Sequence, residues 1–182
     1  NLLLENGLFV TESHYLLDLL DTVQYDSIYH EHLKYYSVKS IIKLFEYYNF
    51  TVIDIDKIPN YGGSIRVYAR KGKSHEVSKS VQTLLQEERN RGLYSEKIYI
   101  DFTKKIKKSK LQLQNVILNA QKNNQKIVGV GCPGRATTLL SYCNLDKDSL
   151  SYIAEQSTSL KLGLYTPGTY IPIVDEKIMI EE

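Results

Sequence analysis

Residues 126–143, Lys-Ile-Val-Gly-Val-Gly-Cys-Pro-Gly-Arg-Ala-Thr-Thr-Leu-Leu-Ser-Tyr-Cys, decide the fold class. Lys126 to Val130 reads as a strand, glycines follow it, and Thr137 to Cys143 reads as a helix. Leu150 to Ala154 and Ile171 to Val174 read as further strands. A strand, a glycine turn, a helix and more strands make an α/β unit. The turn Gly129-Val130-Gly131-Cys132-Pro133-Gly134-Arg135-Ala136 brings bare backbone N–H groups and a helix N-terminus to bear on an anion.

The turn loosely resembles the dinucleotide fingerprint, with Glu155 as a possible acidic partner, but Pro133 removes one donor. Packing of a βα turn accounts for it as well as a phosphate contact does. Cys132 has no base nearby in the sequence and reads as packing.

Upstream, two helical segments span roughly Val77 to Arg89 and Ser95 to Asn123. In the second, Phe102, Ile106, Leu113, Val116, Ile117 and Ala120 fall on one helical face. The run Lys104-Lys105-Ile106-Lys107-Lys108-Ser109-Lys110 reads as a solvated face, with nucleic-acid contact the minor alternative. Lys71-Gly72-Lys73-Ser74 is a polar break, which places a domain boundary after residue 70.

Before that break, Leu2 to Gly7 reads as a helix end with a glycine stop, Leu8-Phe9-Val10 as a buried strand, and Tyr15 to Leu20 as a short helix. Ser37 precedes Ser40 and the periodic run Ile41, Ile42, Leu44, Phe45, Tyr48, the pattern of a serine-capped amphipathic helix. Phe50 to Ile55 and Ile65 to Ala69, the latter entered through Gly62-Gly63, read as strands. Together they suggest an antiparallel edge pair on a mostly parallel sheet.

The chain has 182 residues, 42% apolar and 24% charged, which is ordinary globular composition. A net charge of +2 gives no ground for nucleic acid or an anionic membrane as partner. No apolar run approaches the ~20 residues that span a bilayer, and no signal peptide is visible. Two separated cysteines, Cys132 and Cys143, argue against a disulfide framework and a structural zinc site. The cytoplasm is the simplest setting. The start at Asn1, directly in an apolar run, suggests a fragment.

The densest chemistry lies at Tyr29-His30-Glu31-His32, where a phenol, two imidazoles and a carboxylate crowd a junction between elements. His32 is the favoured base, since an imidazole titrates near neutrality, and Glu31 and Tyr29 could orient it or polarise a substrate oxygen. The alternative is a loop whose histidines bond backbone carbonyls. A metal site is disfavoured, because adjacent His-Glu-His lacks the i, i+4 spacing that aims two ligands from one helix face. Gly163 to Pro172 is a turn-rich loop whose hydroxyls could line a polar pocket or serve as a plain connection.

Four ordered motifs then join: Tyr29-His30-Glu31-His32 with Tyr35-Tyr36-Ser37; Gly62-Gly63-Ser64-Ile65-Arg66-Val67-Tyr68; the glycine turn with Thr138-Leu139-Leu140-Ser141-Tyr142-Cys143; and Tyr165-Thr166-Pro167-Gly168-Thr169 with Ile171-Pro172-Ile173. Together they resemble the sugar C-methyltransferases that act on nucleotide-linked deoxysugars. The resemblance covers nearly the whole chain. It implies an α/β fold in which residues 1–70 form the end of a Rossmann-like S-adenosylmethionine domain, and residues 71–182 a second Rossmann-like domain with a long helix. The zinc cysteines and the main loop that grips S-adenosylmethionine have no counterpart here, so the fragment alone is expected to be inactive in methyl transfer.

The resemblance further implies removal of a proton from C3 of a 4-keto sugar, giving an enolate that takes the methyl group. It gives His32 as the base, Tyr29 and Glu31 as its neighbours, and Tyr35, Gly131, Arg135, Thr138, Tyr165 and Thr169 as contacts to the sugar nucleotide. Ser13-His14 stands where relatives often have proline after the glutamate, Arg135 near a frequent lysine, and Tyr170 where histidine is common. The alternatives are a non-catalytic nucleotide-binding or assembly module and, more weakly, a hydride-transferring dehydrogenase.

Overall fold

A computed structural model describes residues 3–4 and 7–181. The helix end expected at Leu2 to Gly7 lies largely outside the described residues. The chain forms two compact units, one from the residues up to Gln24 together with His32–Thr103, the other from Tyr25–Glu31 and Lys104 onward.

The first unit holds β1 (Leu8–His14), α1 (Leu16–Asp21), α2 (Val38–Tyr47), β2 (Phe50–Ile58), β3 (Ser64–Lys71), α3 (Lys79–Asn90) and the start of α4 (Glu96–Lys122). The strands are ordered β1-β3-β2, and β3 is antiparallel to both neighbours. The hairpin of β2 and β3 is as expected. The sheet around it differs from the expected parallel one, for every strand pair described in this unit is antiparallel.

Alternation along β3 turns Ile65, Val67 and Ala69 into the core. On β2, Val52 and Ile55 both face inward although they are three residues apart. A register shift between Val52 and Asp54 makes this possible, because the extra residue Ile53 reverses the parity of the strand. Helices α2 and α3 pack against β2 and each other. Helix α2 starts with a reciprocal cap: the Ser37 hydroxyl accepts from Ser40 N at 3.0 Å, and Ser37 N donates to the Ser40 hydroxyl at 2.9 Å.

Leu8, Phe9 and Val10 form a strand but not a buried one, since each is more than 40% exposed. Their apolar character comes from strand propensity and from the Phe9–Phe45–Phe50 ring cluster, with centroids 5.7–6.3 Å apart, rather than from enclosure. The polar break Lys71-Gly72-Lys73-Ser74 lies inside this unit, as the bend between β3 and α3, and Ser78 N donates to Ile53 O across it. The division falls instead within α4, between Thr103 and Lys104.

The second unit is a parallel sheet β4-β5-β6 (Gly129–Val130, Ile153–Glu155, Ile173–Asp175) with the rest of α4, α5 (Ala136–Cys143) and α6 (Glu176–Glu181). Its core gathers Ile117, Cys132, Leu140, Cys143, Leu145, Leu150, Ile153, Ile171 and Ile173. The strand expected from Lys126 shortens to Gly129–Val130. On α4, Ile117 is buried as the periodicity predicts, whereas Val116 is 64% exposed because it lies beyond the narrow stripe the core covers.

Candidate active site

Residues of the Tyr-His-Glu-His run divide between the units at the bond from Glu31 to His32. In the first unit, β1 ends at His14, and Tyr15 follows in a position clamped from both sides. Tyr15 N donates to Gly63 O at 3.1 Å, Tyr15 bridges to Tyr36, and Leu16 N donates to Tyr36 O at 2.9 Å. Gly63 permits this approach: its φ is +129°, and a Cβ there would lie 2.4 Å from the Asp18 Cβ. The clamp joins the end of β1 to the far end of the loop that begins at His32. The imidazoles of His14 and His32 stack with centroids 4.6 Å apart and planes inclined by 29°. Tyr61 lies 6.2 Å from His14 at a tilt. Tyr35, in the same loop, is half-buried, and burial pushes its phenol up.

The loop is fixed at its end by a carboxylate without exposed surface. Glu88 of α3 accepts from Val38 N at 2.5 Å and Lys39 N at 3.3 Å, the first N–H groups of α2, and from the Tyr94 hydroxyl. Orphan donors at a helix start favour an anion there, so the burial is compensated. Nothing in the sequence distinguishes Glu88 from its exposed neighbours except its place on the inward face of α3.

In the second unit, the Tyr29 hydroxyl donates to a Glu31 carboxylate oxygen at 2.8 Å. The Tyr29 ring lies against the turn at Gly134, where an added methyl would meet it at 3.4 Å, an ordinary packing distance. Arg135, at the start of α5, pairs through Nε with Asp26 at 3.1 Å. That contact leaves the terminal amino groups of the guanidinium for an anion. The glycine turn itself is latched from within: Cys132 N donates to Glu155, and the Lys161 ammonium donates to Cys132 O. Glu155 thus sits beside the turn, but its carboxylate takes an N–H that a phosphate would use. Gly131 has φ +78° and open space around it, so it is the backbone conformation, not crowding, that favours glycine there. Cys132 is buried, which foremost pushes its thiol up, in keeping with packing rather than reactivity.

The remaining expected contacts are spread out. Thr138 is half-buried in the first turn of α5. Tyr165 is 64% exposed. Thr169 is buried, with its hydroxyl 2.6 Å from that of Thr166, which also accepts from Ile171 N at 2.9 Å. These threonines tie the loop together. The structure thus pairs Tyr29 with Glu31, Arg135 with Asp26, and His32 with His14. His14 is far from His32 in sequence, and only the three-dimensional pairing of Tyr15 with Tyr36 reveals it. Among the described residues, no group of three or more His, Cys, Asp or Glu side chains could hold a metal ion.

Comparison with known proteins gives two findings. Residues 59–182 match the family described as the C-methyltransferase C-terminal domain. Over 173 residues, 94% of this chain, the sequence is 34% identical to C-methyltransferase NovU of Streptomyces niveus. The chain spans 41% of the length of that relative.

Proposed function

Because this chain belongs to the family of C-methyltransferase C-terminal domains, we propose that it carries the proton-abstracting part of a transfer of methyl from S-adenosylmethionine to carbon. The substrate read here is a nucleotide-linked 4-keto-deoxysugar, methylated at C3. The observation that carries the reading is the fold of the Tyr-His-Glu-His run: one imidazole is held flat against another, and a phenol is held on a carboxylate.

A C–H bond beside a ketone becomes acidic when the departing electron pair can delocalise onto the carbonyl oxygen. In the proposed step His32 takes the C3 proton on a ring nitrogen, and the bonding pair moves into the enolate. Glu31 holds the Tyr29 hydroxyl at a fixed point, which suits it to orient a sugar oxygen, and Arg135 offers its terminal amino groups to the diphosphate. S-adenosylmethionine supplies the electrophilic methyl. No step through the donor is assigned to these residues. No helix among the described residues is long and apolar enough to cross a membrane.

Deuterium wash-in tests the reading. The full chain, without methyl donor, is mixed in heavy water with a thymidine diphosphate-linked 4-keto-6-deoxyhexose, and exchange at C3 is followed by NMR. His32→Ala should slow exchange by roughly 10²–10⁴-fold while binding of the sugar nucleotide persists. Exchange that ignores the substitution removes His32 from the role of base. Absence of both exchange and binding in the wild type favours the assembly module.

A further inference from the structure

We propose that His14 is a positioning residue for His32, its ring serving as the platform that fixes the plane of the base. The inference rests on the reading of His32 as base.

His32 begins a stretch, His32–Tyr35, without regular secondary structure. Its first regular anchor downstream is the bridge of Tyr36 to Tyr15, followed by the cap at Ser37 and the Glu88 contacts to α2. A base in such a loop is held less closely than one on a strand or helix, and productive proton transfer tolerates only about 0.5 Å and 10–20° of error. His14 lies on the more rigid side. It is the last residue of β1, with Ser64 of β3 opposite it, and it precedes Tyr15, which has no exposed surface. The clamp at Tyr15, Tyr36 and Gly63 therefore carries the stiffness of the sheet to the His14 ring. The ring passes it on by lying 4.6 Å from that of His32, at 29°. Rings stacked face to face resist tilt relative to one another.

The role depends on a flat ring and not on a proton, which separates it from general acid–base work. In the wash-in assay on the full chain, His14→Ala and His14→Leu should each lower the exchange rate about tenfold or more, with the affinity for the sugar nucleotide unchanged. His14→Phe, which keeps a flat ring, should recover most of the rate. A leucine variant as active as the phenylalanine one, or an alanine variant at the wild-type rate, would overturn the proposal.

A direct readout accompanies the rates. The His32 Cε1–H resonance, assigned by its loss in His32→Gln, feels the ring current of a stacked neighbour. It should move in His14→Leu and move much less in His14→Phe. A resonance unmoved by His14→Leu refutes the stack itself. Wild-type exchange in His32→Ala would instead refute the base, whatever the His14 variants do, so the two ideas fail separately.

Discussion

At the scale of single residues, Glu88 bears the sharpest constraint. A carboxylate without exposed surface is tolerated because Val38 N, Lys39 N and the Tyr94 hydroxyl all point at it. Burial, and after it the hydrogen bond to Glu88, pushes the Tyr94 phenol upward, and burial foremost does the same to Tyr15. Both phenols thus keep their protons through the ordinary pH range. Glu88→Ala strands three donors and should cost about 3–5 kcal/mol of stability in urea unfolding. Tyr94→Phe withdraws one donor from a carboxylate that keeps two others, and should cost about 1–3 kcal/mol. A Glu88→Ala protein as stable as wild type would show that the carboxylate is dispensable to α2. The sequence could not single out Glu88, because the helical pattern of α3 says which face is inward but not that a helix start lies opposite. The sequence marks Tyr29 and Glu31 as neighbours of His32, whereas the hydrogen bond of Tyr29 to Glu31 emerges only from the turn that brings residues two apart together.

At the scale of elements, the turn into β3 and the seam between β2 and α3 carry two further expectations. Gly63→Ala places a methyl against the Asp18 Cβ in a backbone region that L side chains avoid, and the clashing atom belongs to α1 rather than to a flexible tip. Strain and overpacking together should cost about 2–4 kcal/mol by thermal or urea unfolding, and the variant should also slow the wash-in, because Gly63 O anchors Tyr15. Across the seam, the Ser80 hydroxyl donates to Asp54, and that hydrogen bond foremost lowers the carboxyl below its usual range. A lowered folded-state value means that the stabilisation is present above about pH 4 and disappears as pH falls through the folded value. Unfolding followed from pH 6 down to pH 2 should show wild type losing stability faster than Asp54→Asn. Parallel acid profiles would remove Asp54 from the account. The elements themselves were legible where the rule is local, as in the Ser37–Ser40 cap, the Gly62-Gly63 entry to β3 and the period of α4. Burial was not: Leu8, Phe9 and Val10 obey the strand pattern, yet whether a strand is covered depends on its neighbours and not on its own residues.

At the scale of the whole molecule, the polar break at Lys71–Ser74 predicted a boundary, but unit membership follows long-range contacts, which composition cannot report. Tyr25–Glu31 precedes most of the first unit in sequence and yet belongs with the second. Tyr25 is buried there, its hydroxyl 3.3 Å from the Cys143 sulfur and its ring 5.2 Å from that of Tyr142, while Asp26 pairs with Arg135. The segment therefore acts as a strap on α5, and residues 104–182 produced alone should fold less stably than the same residues in the full chain. Within the full chain, Tyr25→Ala should open the α5 region at a cost of about 3–5 kcal/mol, whereas Tyr25→Phe keeps the ring and loses only about 0.5–1.5 kcal/mol with the hydroxyl. Amide hydrogen exchange reads this locally. In Tyr25→Ala, faster exchange should concentrate in α5 and β4–β6 and leave the β2–β3 hairpin as protected as in wild type. Equal loss of protection in the hairpin would mean that the two units unfold as one, and the strap would then stabilise the whole chain rather than its second unit.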